Sequence, residues 1–185
     1  MATQAVDAEL GSFAPDFSLP GACGQTWSRD AALGPNGLLV MFICNHCPYV
    51  QAVLDRIIRD ALELQALGVG VVAISSNDAT AYPEDSFEAM QRLWRERRLP
   101  FPCLYDADQS VARAFGAVCT PDFYGYDREL RLQYHGRIDA SPRQPAPADA
   151  RRELLEAMKQ VVLTGRAPVQ QVPSIGCSIK WLADA

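Results

Sequence analysis

The sequence predicts an α/β fold: a mixed, mainly parallel central sheet covered by helices on both faces, with a hairpin-like N-terminal extension. Three observations carry that expectation. Leu38–Ile43 and Val69–Ser75 hold no charged residue, as expected of strands covered on both faces. Between and after them, apolar residues recur with a helical period. Late in the chain, Asp122–Tyr126 and Leu130–Ile138 flank the polar triplet Asp127-Arg128-Glu129, the pattern of an antiparallel hairpin.

The elements follow in order. Phe13–Leu19 and Gln25–Ser28, separated by Pro20, Gly21 and Gly24, read as the opening hairpin. Gly34-Pro35-Asn36-Gly37 is a turn into the first long strand. Val50, Val53, Leu54, Ile57, Ile58, Ala61 and Leu62 then mark one face of a helix ending near Gly68. After the second strand comes the polar run Ser75–Asp78, then Tyr82-Pro83. Glu84 and Asp85 stand where acids favour a helix N-terminus, and that helix runs through Met90 and Trp94 to Arg98, stopped by Pro100 and Pro102. Cys103–Tyr105 is a brief strand, and Gln109–Phe115 a short helix closed by Gly116. Beyond the hairpin, a proline-rich loop (Ser141–Pro147) leads to a last helix presenting Leu154, Leu155, Met158 and Val162.

With 185 residues the chain fits a single domain spanning 1–185, with a core at about 12–165 and a tail, 166–185, of no clear period. A composition of 49% hydrophobic and 21% charged residues excludes a disordered chain, and a net charge of −5 argues against a nucleic-acid partner. The longest apolar run, Leu38–Cys44, is far short of the ~20 residues that span a membrane. MATQAVDAEL lacks the basic and apolar regions of a signal peptide, so a cytoplasmic location is expected.

Six cysteines lie at 23, 44, 47, 103, 119 and 177, and only Cys44 and Cys47 are close. A C-x-x-C at a strand-to-helix junction of a reduced α/β protein points to thiol-disulfide chemistry. Two intervening residues let the sulfurs meet, and the helix N-terminus supplies free N–H groups and partial positive charge that favour a thiolate. The expectation is a solvent-open dithiol in the first helical turn, with the more exposed Cys44 attacking and Cys47 resolving, and the alternative is a pair of buried structural thiols. Pro48 suits the first helical position, where its missing N–H costs nothing. His46 either tunes the potential through its charge or is an ordinary turn residue. Zinc would need four ligands, and no second Cys or His pair has the spacing, so neither metal nor cofactor is expected. Thr120-Pro121, an X-Pro bond opening a strand, is a candidate cis bond facing the thiols or a plain strand start.

The segments FAPDFSLP, MFICNHCPYV, VVAISSND with AYPEDS, GAVCTPDFYGYD, GRID and PSIGCSIKW resemble the thioredoxin-like superfamily, and within it the peroxiredoxin-like (AhpC/TSA-related) redoxins. The resemblance implies a three-layer α/β/α sandwich. It also implies that Pro121 is a cis-proline facing the dithiol and that the Thr120 backbone binds a thiol or peptide. The chain departs from both relatives. Val40 and Cys44 stand where peroxiredoxins carry a proline and a threonine ahead of their reactive cysteine, which aligns with Cys47, and their downstream arginine has no clear counterpart, Arg137 being one candidate. Ile43 and His46 replace the Trp and Pro of thioredoxins, and LLVMFI holds no buried acid.

Among the remaining residues, Cys177 is a candidate extra redox thiol or a point where the tail docks with Trp181. Cys23, Cys103 and Cys119 read as structural thiols, and the run Arg92, Arg95, Arg97 and Arg98 as a solvated helix end. His135 reads as an ordinary surface or packed histidine, and Asp122 and Asp139 as unranked proton acceptors. The expected function is a thiol-disulfide oxidoreductase acting on protein or small-molecule disulfides with an external thiol reductant. The alternatives are a thiol peroxidase with Cys47 oxidised by peroxide, or a metal-binding or redox-sensing module.

Overall fold

The computed structural model of the protein describes residues 2–183. It opens with β1 (Ala2–Gln4) and the antiparallel ribbon of β2 (Ser18–Pro20) and β3 (Thr26–Ser28), which leads into one helical turn, α1 (Arg29–Ala32). The expected opening hairpin therefore exists in shortened form, and Phe13 makes only a single bridge to Arg131.

β4 (Gly37–Phe42) is buried along its whole length and forms the centre of a five-stranded sheet. α2 (Pro48–Ala66) follows, with Pro48 at its first position, and its C-terminal end hands over to Gly68 at φ +78°, a left-handed conformation that glycine adopts without strain. β5 (Val69–Ser75) lies parallel to β4, and a 3₁₀ turn (Pro83–Asp85) precedes α3 (Phe87–Glu96). β6 (Cys103–Tyr105) extends the parallel set, and α4 (Ser110–Phe115) crosses to the other face. The two-residue β7 (Cys119–Thr120) precedes the hairpin of β8 (Asp122–Tyr126) and β9 (Leu132–Gly136), and α5 (Glu153–Thr164) and β10 (Ile175–Ser178) complete the chain.

The sheet order is β6-β5-β4-β8-β9, with β8 antiparallel to β4. Two of its pairings are parallel and two antiparallel, so the sheet is mixed, less dominated by parallel pairs than the residue pattern suggests. Strand alternation sorts the core into two layers. Leu39, Met41, Val71 and Ala73 meet α2, α3 and α5, while Leu38, Val40, Phe42, Val72 and Ile74 meet α1 and α4. On the second face Phe42 sits edge-on to Phe115 and Tyr124, with ring centroids 5.3 and 5.8 Å apart. The result is the three-layer α/β/α sandwich of the thioredoxin-like fold.

Two expectations are corrected. Leu62 points outward at 52% exposure, because Val50, Val53, Leu54, Ile57, Ala61 and Leu64 follow the helical turn more closely and take the buried stripe. The tail holds a strand that its sequence does not announce. β10 pairs antiparallel with both β1 and β7, matching Cys177 to Ala2 on one side and to Thr120 on the other. The segments on either side of the 12–165 core thus join β7 in a second small sheet of order β1-β10-β7, with β10 at its centre and β7 immediately before the β8 strand of the central sheet.

Gly176 makes this pairing close. A Cβ at that position would overlap the Thr120 carbonyl, which is backbone and cannot rotate aside. Gly176→Ala is therefore expected to cost about 1–3 kcal/mol by forcing β10 away from β7. Denaturant titration measures it, and a midpoint unchanged from wild type would refute the close packing.

Candidate active site

Cys44 follows β4 and Cys47 immediately precedes α2, as its N-cap. The motif is thus a bend leading into the helix, where a place inside its first turn was expected. All six cysteines are free thiols. The dithiol is also less open than expected: Cys44 is 3% and Cys47 0% exposed.

Thr120 faces both members of the pair. Its hydroxyl lies 3.2 Å from Cys44 Sγ, and its carbonyl oxygen lies 3.2 Å from Cys47 Sγ. The Thr120–Pro121 bond is cis. β7 presents Thr120 to the dithiol from one side and pairs with Cys177 in β10 on the other. The structure thus brings Cys44, Cys47, His46, Thr120, Pro121 and Cys177 into one neighbourhood.

The two sulfurs are electrostatically unequal. The thiol–thiol interaction with Cys47 pushes the Cys44 pKa upward, and burial and the Asp85 carboxylate add to the shift. Cys47 is held down at about 4, first by the Cys44 thiol and then, against its own burial, by the Cys177 thiol and by the Val50 and Cys177 N–H groups. The Val50 N–H lies in the first turn of α2 and acts on Cys47 without completing a side-chain cap. One contact opposes this order. The Thr120 carbonyl accepts a bond from a Cys47 thiol and repels a thiolate. Four donors outweigh one carbonyl, so the pair shares a single proton and the negative charge rests on Cys47.

The loop between the sulfurs is fixed by Asp85, which the sequence places at a helix end as a dipole partner. It is instead turned inward and fully buried. Asp85 Oδ1 accepts from the N–H groups of Asn45 (2.8 Å) and His46 (3.2 Å). Asp85 Oδ2 is paired with Asn77 Nδ2 (2.7 Å) and His46 Nδ1 (2.5 Å). The imidazole of His46 also stacks on Tyr82, ring centroids 5.2 Å apart and nearly parallel. Asp85 and Tyr82 thus belong to the candidate site, and the local sequence does not announce them. The only local signal was the polar run Ser75–Asp78 ahead of Tyr82-Pro83.

Cys44, His46 and Asp85 bring one donor atom each within 4.8 Å of one another. Both Asp85 oxygens are already taken by four protein donors, so a metal ion would have to displace that network. The donor set fits a hydrogen-bonded cluster better than a metal cage.

Other expected contributors are engaged elsewhere. Asp122 pairs with the buried His135 at 3.0 Å, and Asp139 with Arg56 at 2.7 Å. Arg137, the candidate peroxidase arginine, is held by both Glu153 oxygens. Cys119 and Cys103 are buried, and burial raises the pKa of both, Cys103 to about 12. Cys23 is exposed. Arg113 lies over the Trp181 ring, which anchors the tail.

An α/β/α sandwich whose dithiol abuts a cis-proline loop defines a thioredoxin-like redoxin. Residues 10–135 match the AhpC/TSA family, and the chain belongs to it. The fold is similar to that of an uncharacterized conserved protein from Geobacillus kaustophilus at 41% identity, TM-score 0.95, covering 100% of this chain and 98% of the other. A hypothetical protein from Sinorhizobium meliloti 1021 is 42% identical, with TM-score 0.88 and coverage of 98% and 100%. The thioredoxin domain of a thiol-disulfide oxidoreductase from Bacteroides vulgatus shares the fold at 15% identity, TM-score 0.59, over 70% of this chain and 89% of that domain. No curated protein matches the sequence.

Two outcomes follow from the geometry. Ultraviolet titration of the reduced protein is expected to retain one thiolate down to about pH 4. Cys44→Ala should raise that midpoint, since the Cys44 thiol is the main group holding Cys47 low. A wild-type midpoint near the ordinary thiol value of 9.0 would refute the assignment. Asp85→Asn should destabilise the fold by at least ~2 kcal/mol, because an amide sets a donor against buried donors. A loss within about 0.5 kcal/mol, the range of an ordinary surface change, would remove Asp85 from its role.

Proposed function

We propose that the protein is a thiol-disulfide oxidoreductase that cycles between a Cys44/Cys47 dithiol and a Cys44–Cys47 disulfide. The observation that carries this reading is the pair of thiols packed against Thr120 with their proton unequally shared. Cys44 is the sulfur a substrate reaches first, being the less deeply buried of the two. As substrate approaches, the shared proton moves to Cys47, and Thr120 donates its hydroxyl to the Cys44 thiolate. Cys44 attacks the substrate disulfide, a mixed disulfide forms, and the departing thiolate takes the proton from Cys47. Cys47, again anionic, attacks Cys44 Sγ and releases the second substrate thiolate, which takes its proton from solvent. The protein leaves oxidised by two electrons and the substrate reduced by two.

Asp85 orients His46 beside Cys44, where a protonated imidazole would favour the thiolate and raise the reduction potential. The substrate is a protein or small-molecule disulfide. An external thiol reductant regenerates the dithiol. A reducing compartment such as the cytoplasm suits a chain with six unpaired cysteines.

One observation favours a second reading. A deeply buried sulfur held anionic suits a small oxidant, and in a peroxidase Cys47 would attack hydrogen peroxide, becoming a sulfenic acid while hydroxide leaves. Cys44 would then displace water and form the same disulfide.

Trapping separates the two. With oxidised glutathione or insulin, Cys47→Ser is expected to accumulate a mixed disulfide on Cys44 and to lose turnover. Cys44→Ser should turn over no substrate either. Equal turnover by wild type and the double variant would end the oxidoreductase reading. Stopped-flow oxidation of Cys47 by hydrogen peroxide faster than that of free cysteine would favour the peroxidase.

A further inference from the structure

The proposed cycle uses two thiols, and the structure places a third behind them. Cys177 stands directly across the β10–β7 ladder from Thr120, whose carbonyl oxygen is 3.2 Å from Cys47 Sγ. Its side chain packs against the core cluster that contains Cys44 and Cys47, and both its thiol and its N–H stabilise the Cys47 thiolate. Unlike the other two, Cys177 is only half-buried. Thr120 separates two approaches to Cys47: Cys44 contacts its hydroxyl, and Cys177 pairs with its backbone.

Building on the dithiol reading, we propose that Cys177 is a second exchange partner of Cys47, so that the site is a three-thiol relay. Cys44 meets the substrate and Cys177 meets a low-molecular-weight thiol reductant. In the first step the Cys177 thiolate attacks Cys47 Sγ of the Cys44–Cys47 disulfide. The Cys47–Cys177 bond forms, the Cys44–Cys47 bond breaks, and Cys44 leaves as a thiolate and takes up the proton that Cys177 lost. No electrons enter or leave the protein. A reductant thiol RSH then attacks Cys177 Sγ, expelling the Cys47 thiolate, and a second RSH releases RSSR and the free Cys177 thiol. Two reductant thiols are oxidised, and one protein disulfide is reduced.

The electrostatics favour the first step at the right moment. In the reduced protein Cys177 is pushed up to about 11 by burial and by the neighbouring Cys47, while Lys180 acts to lower it. Once Cys47 is locked in a disulfide its charge is gone, and the Lys180 contribution remains to favour the attacking thiolate.

Disulfide mapping in glutathione redox buffers tests the relay on the full chain. Cys44→Ser and Cys44→Ala keep both partners of the second bond and are expected to form a Cys47–Cys177 link, losing two free thiols. In the wild type the same link should coexist with Cys44–Cys47 at intermediate poise. Reduction of the wild-type disulfide by glutathione should be faster than that of Cys177→Ser, by about tenfold or more, because exchange rates depend on access to the attacked sulfur. If the Cys44 variants carry glutathione on Cys177 or Cys47 and no Cys47–Cys177 link, the relay is refuted, while a wild-type Cys44–Cys47 disulfide would leave the dithiol reading intact. A wild type that forms no Cys44–Cys47 disulfide would instead remove that reading. If Cys177→Ser fails to fold, mapping of the Cys44 variants still decides.

Discussion

The site depends on how one residue, Thr120, is held. Its hydroxyl serves Cys44, its carbonyl faces Cys47, and its backbone is paired across β10 with Cys177. None of these positions is free to drift. β7 leads directly into β8, which is locked against β4 from Phe42 to Leu38, and on its other side β10 is itself paired with β1. The two sheets therefore clamp Thr120 between them. A thiol site needs that stiffness, because proton sharing between sulfurs changes with small displacements.

A buried carboxylate without partners would be costly, and Asp85 avoids the penalty by collecting four donors, two of them backbone N–H groups of the loop between the cysteines. The same contacts fix the loop. Asn77, which reaches Asp85, also accepts from the Lys180 N–H, and Gln109 bridges Ser76 and Lys180. The polar run after β5 thus ties the inter-cysteine loop to the tail that carries Cys177. This continuity gives the three thiols a common frame.

These contacts also explain which parts of the site were legible in the sequence. Cys44 and Cys47 could be found because the hydrophobic period changes from strand to helix at that point. The fold class followed from uniformly apolar β4 and β5 and from the late hairpin. Asp85 and Cys177 act across long sequence separations that local periodicity does not register. Asp85 occupies a position where an acid already has a sufficient local reason to be, at the front of a helix, so nothing marked it as buried. β10 is four residues long with glycine inside it, a weak strand signal, and its partners come from the chain's first residues and from a two-residue strand. Pairing and close backbone approach decide such a strand, and alternation does not.

The inequality between the sulfurs rests mainly on the pairing of the two thiols themselves. Of the groups that keep Cys47 anionic, the Cys44 thiol is the strongest, and in the proposed cycle it is consumed when Cys44 enters a mixed disulfide. The Val50 and Cys177 N–H groups and the Cys177 thiol remain. The Asp85 carboxylate disfavours charge on Cys44 and has no comparable effect on Cys47. A symmetric pair would leave it to chance which sulfur is ready to close the cycle. Here the groups that remain around the deeper sulfur favour its thiolate once the departing thiolate has taken its proton, which suits Cys47 to the resolving role proposed for it.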